Sequence, residues 1–158
     1  YYLMDKEAEQ VPVGANRLLY LPYLMGERTP HLDPNARGVF FGLSAMHTKR
    51  DMLRAVLEGV TYSLRDCVEV FREMGISVDD MMACGGGGTS PLWRSMLADL
   101  YNCPVKTVAS KEGPSLGVAI LASVGAGIYG SVPEACDAIV KTDKTQNPQA
   151  ENVPVYPD

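Results

Sequence analysis

The chain has little with which to hold a metal or run redox chemistry. Its four cysteines, Cys67, Cys84, Cys103 and Cys136, are scattered, none forms a CxxC pair, and the two histidines, His31 and His47, stand apart from them. Neither a zinc site nor a redox motif fits that spacing, so free buried thiols are the expectation. Basic charge is scarce as well. With 14 Lys and Arg against 19 Asp and Glu the formal net charge is -5, which removes the electrostatic footprint of a nucleic-acid or anionic-membrane binder. Long apolar runs are missing: the longest, Leu116 to Val124, falls well short of the roughly 20 residues of a membrane-crossing helix. The opening YYLMDKEAEQ has neither the basic nor the apolar region of a secretory leader, so a reducing cytoplasm is expected. There is no internal repeat and no low-complexity tract.

What remains is ordinary globular material. Of 158 residues, 46% are hydrophobic and 21% charged, enough for one domain with a real core. The most informative stretch is Ala83 to Tyr101, ACGGGGTSPLWRSMLADLY. A short apolar run, Met81 to Ala83, reads as the end of a buried strand, and Gly85 to Gly88 remove every Cβ from the turn that follows. Ser90 is a good N-cap, Pro91 suits the first helical position, and Leu92, Trp93, Met96, Leu97 and Leu100 recur at helical spacing. A helix N-terminus facing a glycine turn favours an anion such as a phosphate, although the same glycines also suit a purely structural close approach of helix to strand. A Walker P-loop is a poor fit, because no Gly-Lys-Ser/Thr follows.

Along the chain, the spacing predicts helix within 1–10, a strand at Leu18 to Leu24, a Pro-punctuated polar loop at Gly26 to Arg37, and a second strand at Gly38 to Leu43. Thr48 caps a long helix, Lys49 to Met74, stopped by Gly75. A strand at Met81 to Cys84, a helix at Pro91 to Tyr101, a strand at Val105 to Ala109, a helix from Pro114 and a helix at Glu134 to Val140 follow, so strands alternate with helices. The domain is expected over 1–143, with an irregular tail over 144–158 rich in Asn, Gln and Pro. Gly125 to Gly130 matches GxGxxG by letter, but it follows a predicted helix instead of a strand and is read as that helix's end.

GGGGTSPLWRSMLAD resembles the nucleotide-binding turn of the FGGY family of carbohydrate kinases, its xylulokinases especially, with Gly88 where alanine is commoner. Three further blocks strengthen the resemblance. Gly38-Val39-Phe40-Phe41-Gly42-Leu43, with Asp51 to Glu58 after a seven-residue gap, fits the family's C-terminal signature; GERTPHLDPNARG, Gly26 to Gly38, resembles the preceding loop; and Glu112 to Gly117 resembles a later Gly-x-x-Leu-Gly turn.

The resemblance implies an α/β fold of the actin-like ATPase, ribonuclease H-like type, a mixed sheet flanked by helices, forming the C-terminal part of a two-domain kinase. It implies that Gly86 and Gly87 pack against the adenosine and α-phosphate of ATP or ADP, with Ser90 and Pro91 near the adenine. Mg²⁺ is expected to be held mainly by the nucleotide and by residues outside this chain, as is the catalytic base, so no Asp here is assigned that role. The implied parent reaction is phosphorylation of D-xylulose to D-xylulose 5-phosphate, the fragment alone being inactive. The implied partners are ATP and a small sugar, with no nucleic acid or membrane and homodimerisation left open. Kinases of gluconate, ribulose or glycerol share these motifs, and a non-catalytic structural or oligomerisation module would also use the glycine turn.

Other chemistry-bearing residues have plainer readings. Glu27, Arg28, His31 and Asp33 match no metal pattern and are expected to fix their loop or an interdomain contact. His47 reads as a surface or capping residue, Arg54 and Glu58 as an intrahelical ion pair, Trp93 as core, and Asp99 as a solvated face or local salt bridge.

Overall fold

The computed structural model describes residues 2–110 and 113–156. Tyr1, Glu112 of the Gly-x-x-Leu-Gly block and the last two residues of the expected tail lie outside the described residues. The N-terminal elements are arranged about one long helix. Helix α1 (Tyr2–Ala8) leads to strand β1 (Leu19–Leu21) and strand β2 (Val39–Phe41), and helix α2 (Lys49–Glu73) packs against both α1 and β1. Strands β1 and β2 pair antiparallel with Tyr20 opposite Phe40, their rings 4.7 Å apart. Those two rings turn towards Ala15, Leu18 and Ala55, while Leu19, Leu21, Val39 and Phe41 face outwards.

Helix α2 begins where the sequence says it should. Thr48 is an extended N-cap whose hydroxyl accepts from the Arg50 N–H, and the Asp51 carboxylate reaches back to the Thr48 N–H at 2.7 Å, a reciprocal cap. Strand β3 (Met81–Ala83) follows, then a single helical turn α3 (Gly85–Thr89), helix α4 (Pro91–Tyr101) and strand β4 (Val105–Val108). The tetraglycine segment, expected to be an open turn, is therefore helical. Helix α5 (Gly113–Gly125), helix α6 (Val132–Ile139) and strand β5 (Thr142–Gln146) complete the elements. The sheet order is β3-β4-β5, parallel between β3 and β4 and antiparallel between β4 and β5, with an irregularity between Lys106 and Val108.

Two expectations are corrected here. The tail does not turn irregular at Lys144: that residue lies inside β5, whose backbone completes the open edge of β4. The chain then folds back, so that Tyr156 is buried in the main core with Val68, Leu97, Leu100, Tyr101 and Val105. Asp99 is no solvated charge either. It is 3% exposed because the returning segment covers it, and its carboxylate accepts from the Gln149 N–H at 2.7 Å and from the Asn152 side-chain amide at 2.8 Å. The GxGxxG letters do close a helix: Gly127 is left-handed, its N–H donates to Val124 O and the Ile128 N–H to Ser123 O, the double bond of a glycine-stopped C-terminus.

The loop before β1 carries an unexpected conformation. Gly14, Ala15, Asn16 and Arg17 all have positive φ, from +44° to +84°, a left-handed turn that costs each non-glycine residue roughly 1–2 kcal/mol. Three groups hold it in place: Glu58 accepts from the Gly14 N–H at 3.0 Å, Asp51 accepts from the Asn16 side-chain amide at 2.7 Å, and His47 Nε2 lies 3.2 Å from Asn16 O.

Candidate functional site

The C-terminal ends of β3 and β4 open onto a cleft of about 380 Å³. One wall is the glycine turn, with Cys84, Gly85, Gly86, Gly88 and Thr89; the other combines Thr107 and Val108 of β4 with Ala109 and Ser110 just beyond it, Gly113 at the head of α5, and Asp143 and Lys144 of β5. The position is where ligands collect in sheets with parallel strands, beyond the strands' carboxyl ends.

Each glycine of the turn does a different job. A Cβ placed on Gly86 would meet no atom within 4 Å, so this residue presents bare backbone to the cleft. A Cβ on Gly87 would fall 2.7 Å from the Trp93 ring, and one on Gly88 would fall 2.8 Å from Ala83 O. Gly87 and Gly88 are thus consumed by packing of α3 on α4 and β3, whereas Gly86, and Gly85 with its left-handed φ of +72°, keep open space where a side chain would stand. Ser90 caps α4 as expected, its hydroxyl accepting from the Trp93 N–H at 3.1 Å, with Pro91 at the first helical position. The structure brings Gly86 to the cleft wall, whereas Gly87, Ser90 and Pro91 do not line it.

The turn is held from α4 and α2. Trp93 packs against the core, as expected, and its indole N–H donates to Thr61 Oγ1 of α2 at 2.8 Å. Arg94 Nη1 donates to Gly88 O at 2.6 Å, and Thr89 Oγ1 donates to Gly86 O at 2.7 Å. Sequence reasoning missed Arg94, Asp143 and Lys144, all of which line the cleft.

Elsewhere the charged loop residues behave structurally. Glu27 accepts from the backbone N–H groups of Thr29, His31 and Leu32, and His31 Nε2 lies 2.9 Å from Asp66 of α2. His47 accepts from the Ser44 N–H at 2.9 Å through Nδ1. No group of three or more His, Cys, Asp or Glu suited to a metal occurs among the described residues, and no helix among them is long and apolar enough to cross a membrane. A larger hollow of about 920 Å³ lies against α2 and β1, lined by Leu19, Tyr20, Leu21 and Tyr62. Its polar residues besides tyrosine are Asn16, Arg17, Ser63 and Asp66, and it has no glycine turn at the carboxyl ends of parallel strands.

A model of the C-terminal domain of FGGY carbohydrate kinases matches residues 1–126. The chain belongs to the FGGY family of carbohydrate kinases. The xylulose kinase of Staphylococcus epidermidis (strain ATCC 12228 / FDA PCI 1200) is 44% identical over 144 residues, which cover 91% of this chain and 29% of that protein. Among solved structures, a ligand-bound xylulose kinase from Lactobacillus acidophilus superposes with a TM-score of 0.89 at 32% identity, over 97% of this chain and 31% of that one. A gluconate kinase from the same organism gives 0.87 at 32% identity, over 97% and 31%. The fold of this FGGY domain is therefore the actin-like ATPase fold expected from its motifs, and the chain spans about three tenths of the length of these relatives.

Proposed function

We propose that the glycine cleft binds the adenosine end of ATP, within a sugar kinase that transfers the γ-phosphoryl group to D-xylulose and yields D-xylulose 5-phosphate. The observation that carries the nucleotide reading is Gly86, whose missing side chain, like that of Gly85 before it, leaves backbone open to the cleft while Gly87 and Gly88 are packed. In this reading the adenine extends past α3 towards Ser90 and Pro91, and Gly87 serves by letting α3 settle on Trp93. The choice of sugar rests on the xylulose kinases among the relatives, and the gluconate kinase neighbour supplies the second reading.

Phosphoryl transfer is chiefly positioning and charge stabilisation. This domain's residues supply positioning: the turn is fixed by Trp93, Arg94 and Ser90 before ligand arrives, so little order remains to be imposed on binding. Mg²⁺ would neutralise phosphate charge when it arrives with the nucleotide, and no cluster here is assigned to hold it. The base that takes the sugar hydroxyl's proton is likewise assigned to no residue of this chain, and ATP chemistry of this kind belongs in the cytoplasm.

Calorimetric titration of the 158-residue chain with ADP tests the nucleotide reading against a structural module. Saturable binding that Gly86→Val weakens supports it, and absence of binding removes it. Assaying the full-length kinase on D-xylulose and on gluconate decides the sugar, and the isolated chain should phosphorylate neither.

A further inference from the structure

Four arginines of this chain are matched by carboxylates. Arg54, 6% exposed, has its Nε 2.7 Å from Glu58 Oε1; Arg50 pairs with Glu7, and Arg65 and Arg72 share Glu69. Arg94 is buried to the same 6%, yet its single described contact is the hydrogen bond from Nη1 to Gly88 O at 2.6 Å, and no carboxylate of the described residues is in ion-pair reach. A carbonyl satisfies one of five guanidinium N–H groups and leaves the charge uncompensated, whereas buried charges are ordinarily paired.

The surroundings say where that charge is directed. Arg94 forms part of the wall of the glycine cleft, with Lys144 as a second cation and Asp143 as the acidic residue on the β5 side. No buried polar side-chain atom among the described residues lacks a partner, so the guanidinium N–H groups that do not reach Gly88 keep their access to solvent, which here is the cleft. Trp93, one residue earlier on α4, holds the turn from its other flank at Gly87. The guanidinium is thereby fixed relative to the open backbone of Gly86.

We propose that Arg94 is an anion-binding residue of this cleft, its guanidinium meeting a phosphate group of the nucleotide from beneath the glycine turn. The proposal rests on the nucleotide reading and adds to it a side chain that supplies charge, where the turn itself offers only backbone. A guanidinium suits the task because it stays protonated and offers several N–H donors to phosphate oxygens at once.

The test compares adenosine, AMP and ADP as ligands of the 158-residue chain. Arg94→Met should lower affinity for AMP and ADP by at least about tenfold more than that for adenosine, whose own loss reads out any loosening of the turn that Arg94 also braces, and Arg94→Lys, which keeps charge but loses the planar fork, should fall between. Thermal melts establish that each variant is folded. In the unaltered chain, independently of any variant, the Arg94 Nε–H resonance should move on addition of ADP and stay still with adenosine. Equal loss of adenosine and ADP affinity in Arg94→Met, or a resonance indifferent to ADP when ADP binds, overturns the proposal and leaves the nucleotide reading standing. A chain that binds none of the three ligands removes both.

Discussion

The phenol of Tyr156 donates a hydrogen bond of 2.9 Å to Glu58 Oε1, joining the end of the described chain to the middle of α2 across 98 positions. The same oxygen accepts from Arg54 Nε at 2.7 Å and from the Gly14 N–H at 3.0 Å, and Arg54 Nη1 donates to Val11 O at 3.2 Å. One carboxylate thus fastens the left-handed turn, α2 and the returning tail. Burial pushes the Tyr156 phenol well above the usual tyrosine range, and the charge of Glu58 pushes in the same direction.

Removing different parts of this junction should cost different amounts. Tyr156→Phe loses the bond to Glu58 and the long one of 3.4 Å that the hydroxyl accepts from Arg54 Nη2, while Glu58 keeps two others, a loss of about 1 kcal/mol. Glu58→Ala strands a buried guanidinium, which costs about 3–5 kcal/mol. Urea unfolding of both variants measures the difference, and equal losses would mean that Arg54 finds another partner.

Stability should also fall in acid through Asp51. Hydrogen bonds from the Thr48 hydroxyl, the Thr48 N–H and the Asn16 amide hold its carboxyl at about 2, below its ordinary 3.8. A carboxylate with a lowered folded-state pKa stabilises fully above its unfolded value and loses that contribution as pH falls towards the folded one. Melting temperatures of the chain and of Asp51→Asn should therefore differ most above pH ~5 and converge as pH falls towards ~2. A constant gap across that range would show that the carboxylate's ionisation is not what stabilises the cap.

The parts of the fold that were legible in the sequence are those whose signals are local. Helix α2 declares its start at Thr48 and its stop at Gly75, and α4 runs from Pro91 to Tyr101 as its cap, proline and apolar spacing require. Strand β5 gave no such signal, since its residues Thr142 to Gln146 are almost all exposed and it exists by pairing with the free edge of β4. Asp99 misled for the same reason, because its burial is imposed by a segment fifty positions later. Four glycines carry no side-chain periodicity, so the helical turn at Gly85–Thr89 was invisible until Arg94 and Trp93 were seen to brace it. Of the candidate site residues, the turn's location was readable, but which glycine faced the cleft depended on packing that only three dimensions reveal.

That packing separates two substitutions of identical chemistry. Gly86→Val places its branched carbon in open space, so the chain should keep its melting temperature within a few degrees and lose nucleotide affinity. Gly88→Val drives the same carbon into the Ala83 backbone and should destabilise by about 1–3 kcal/mol through overpacking. Melts and ADP titrations of the pair check this. Unchanged ADP affinity in Gly86→Val would move the ligand away from the turn.

Cysteine chemistry offers a probe of the cleft that needs no substitution. Cys84 is exposed and sits where β3 enters the glycine turn, on the cleft wall. Cys103 is buried, and desolvation pushes its thiol upwards. Cys67 and Cys136 are half-buried. Because attack requires an accessible thiolate, alkylation of the folded chain by iodoacetamide, followed by peptide mass spectrometry, should mark Cys84 first. Nucleotide seated against Gly86 would cover that sulfur, so saturating ADP should slow the labelling of Cys84 several-fold and leave the slower labelling of Cys136 unchanged. If ADP binds and Cys84 still reacts at its original rate, the nucleotide lies elsewhere and the assignment of the glycine cleft falls with it.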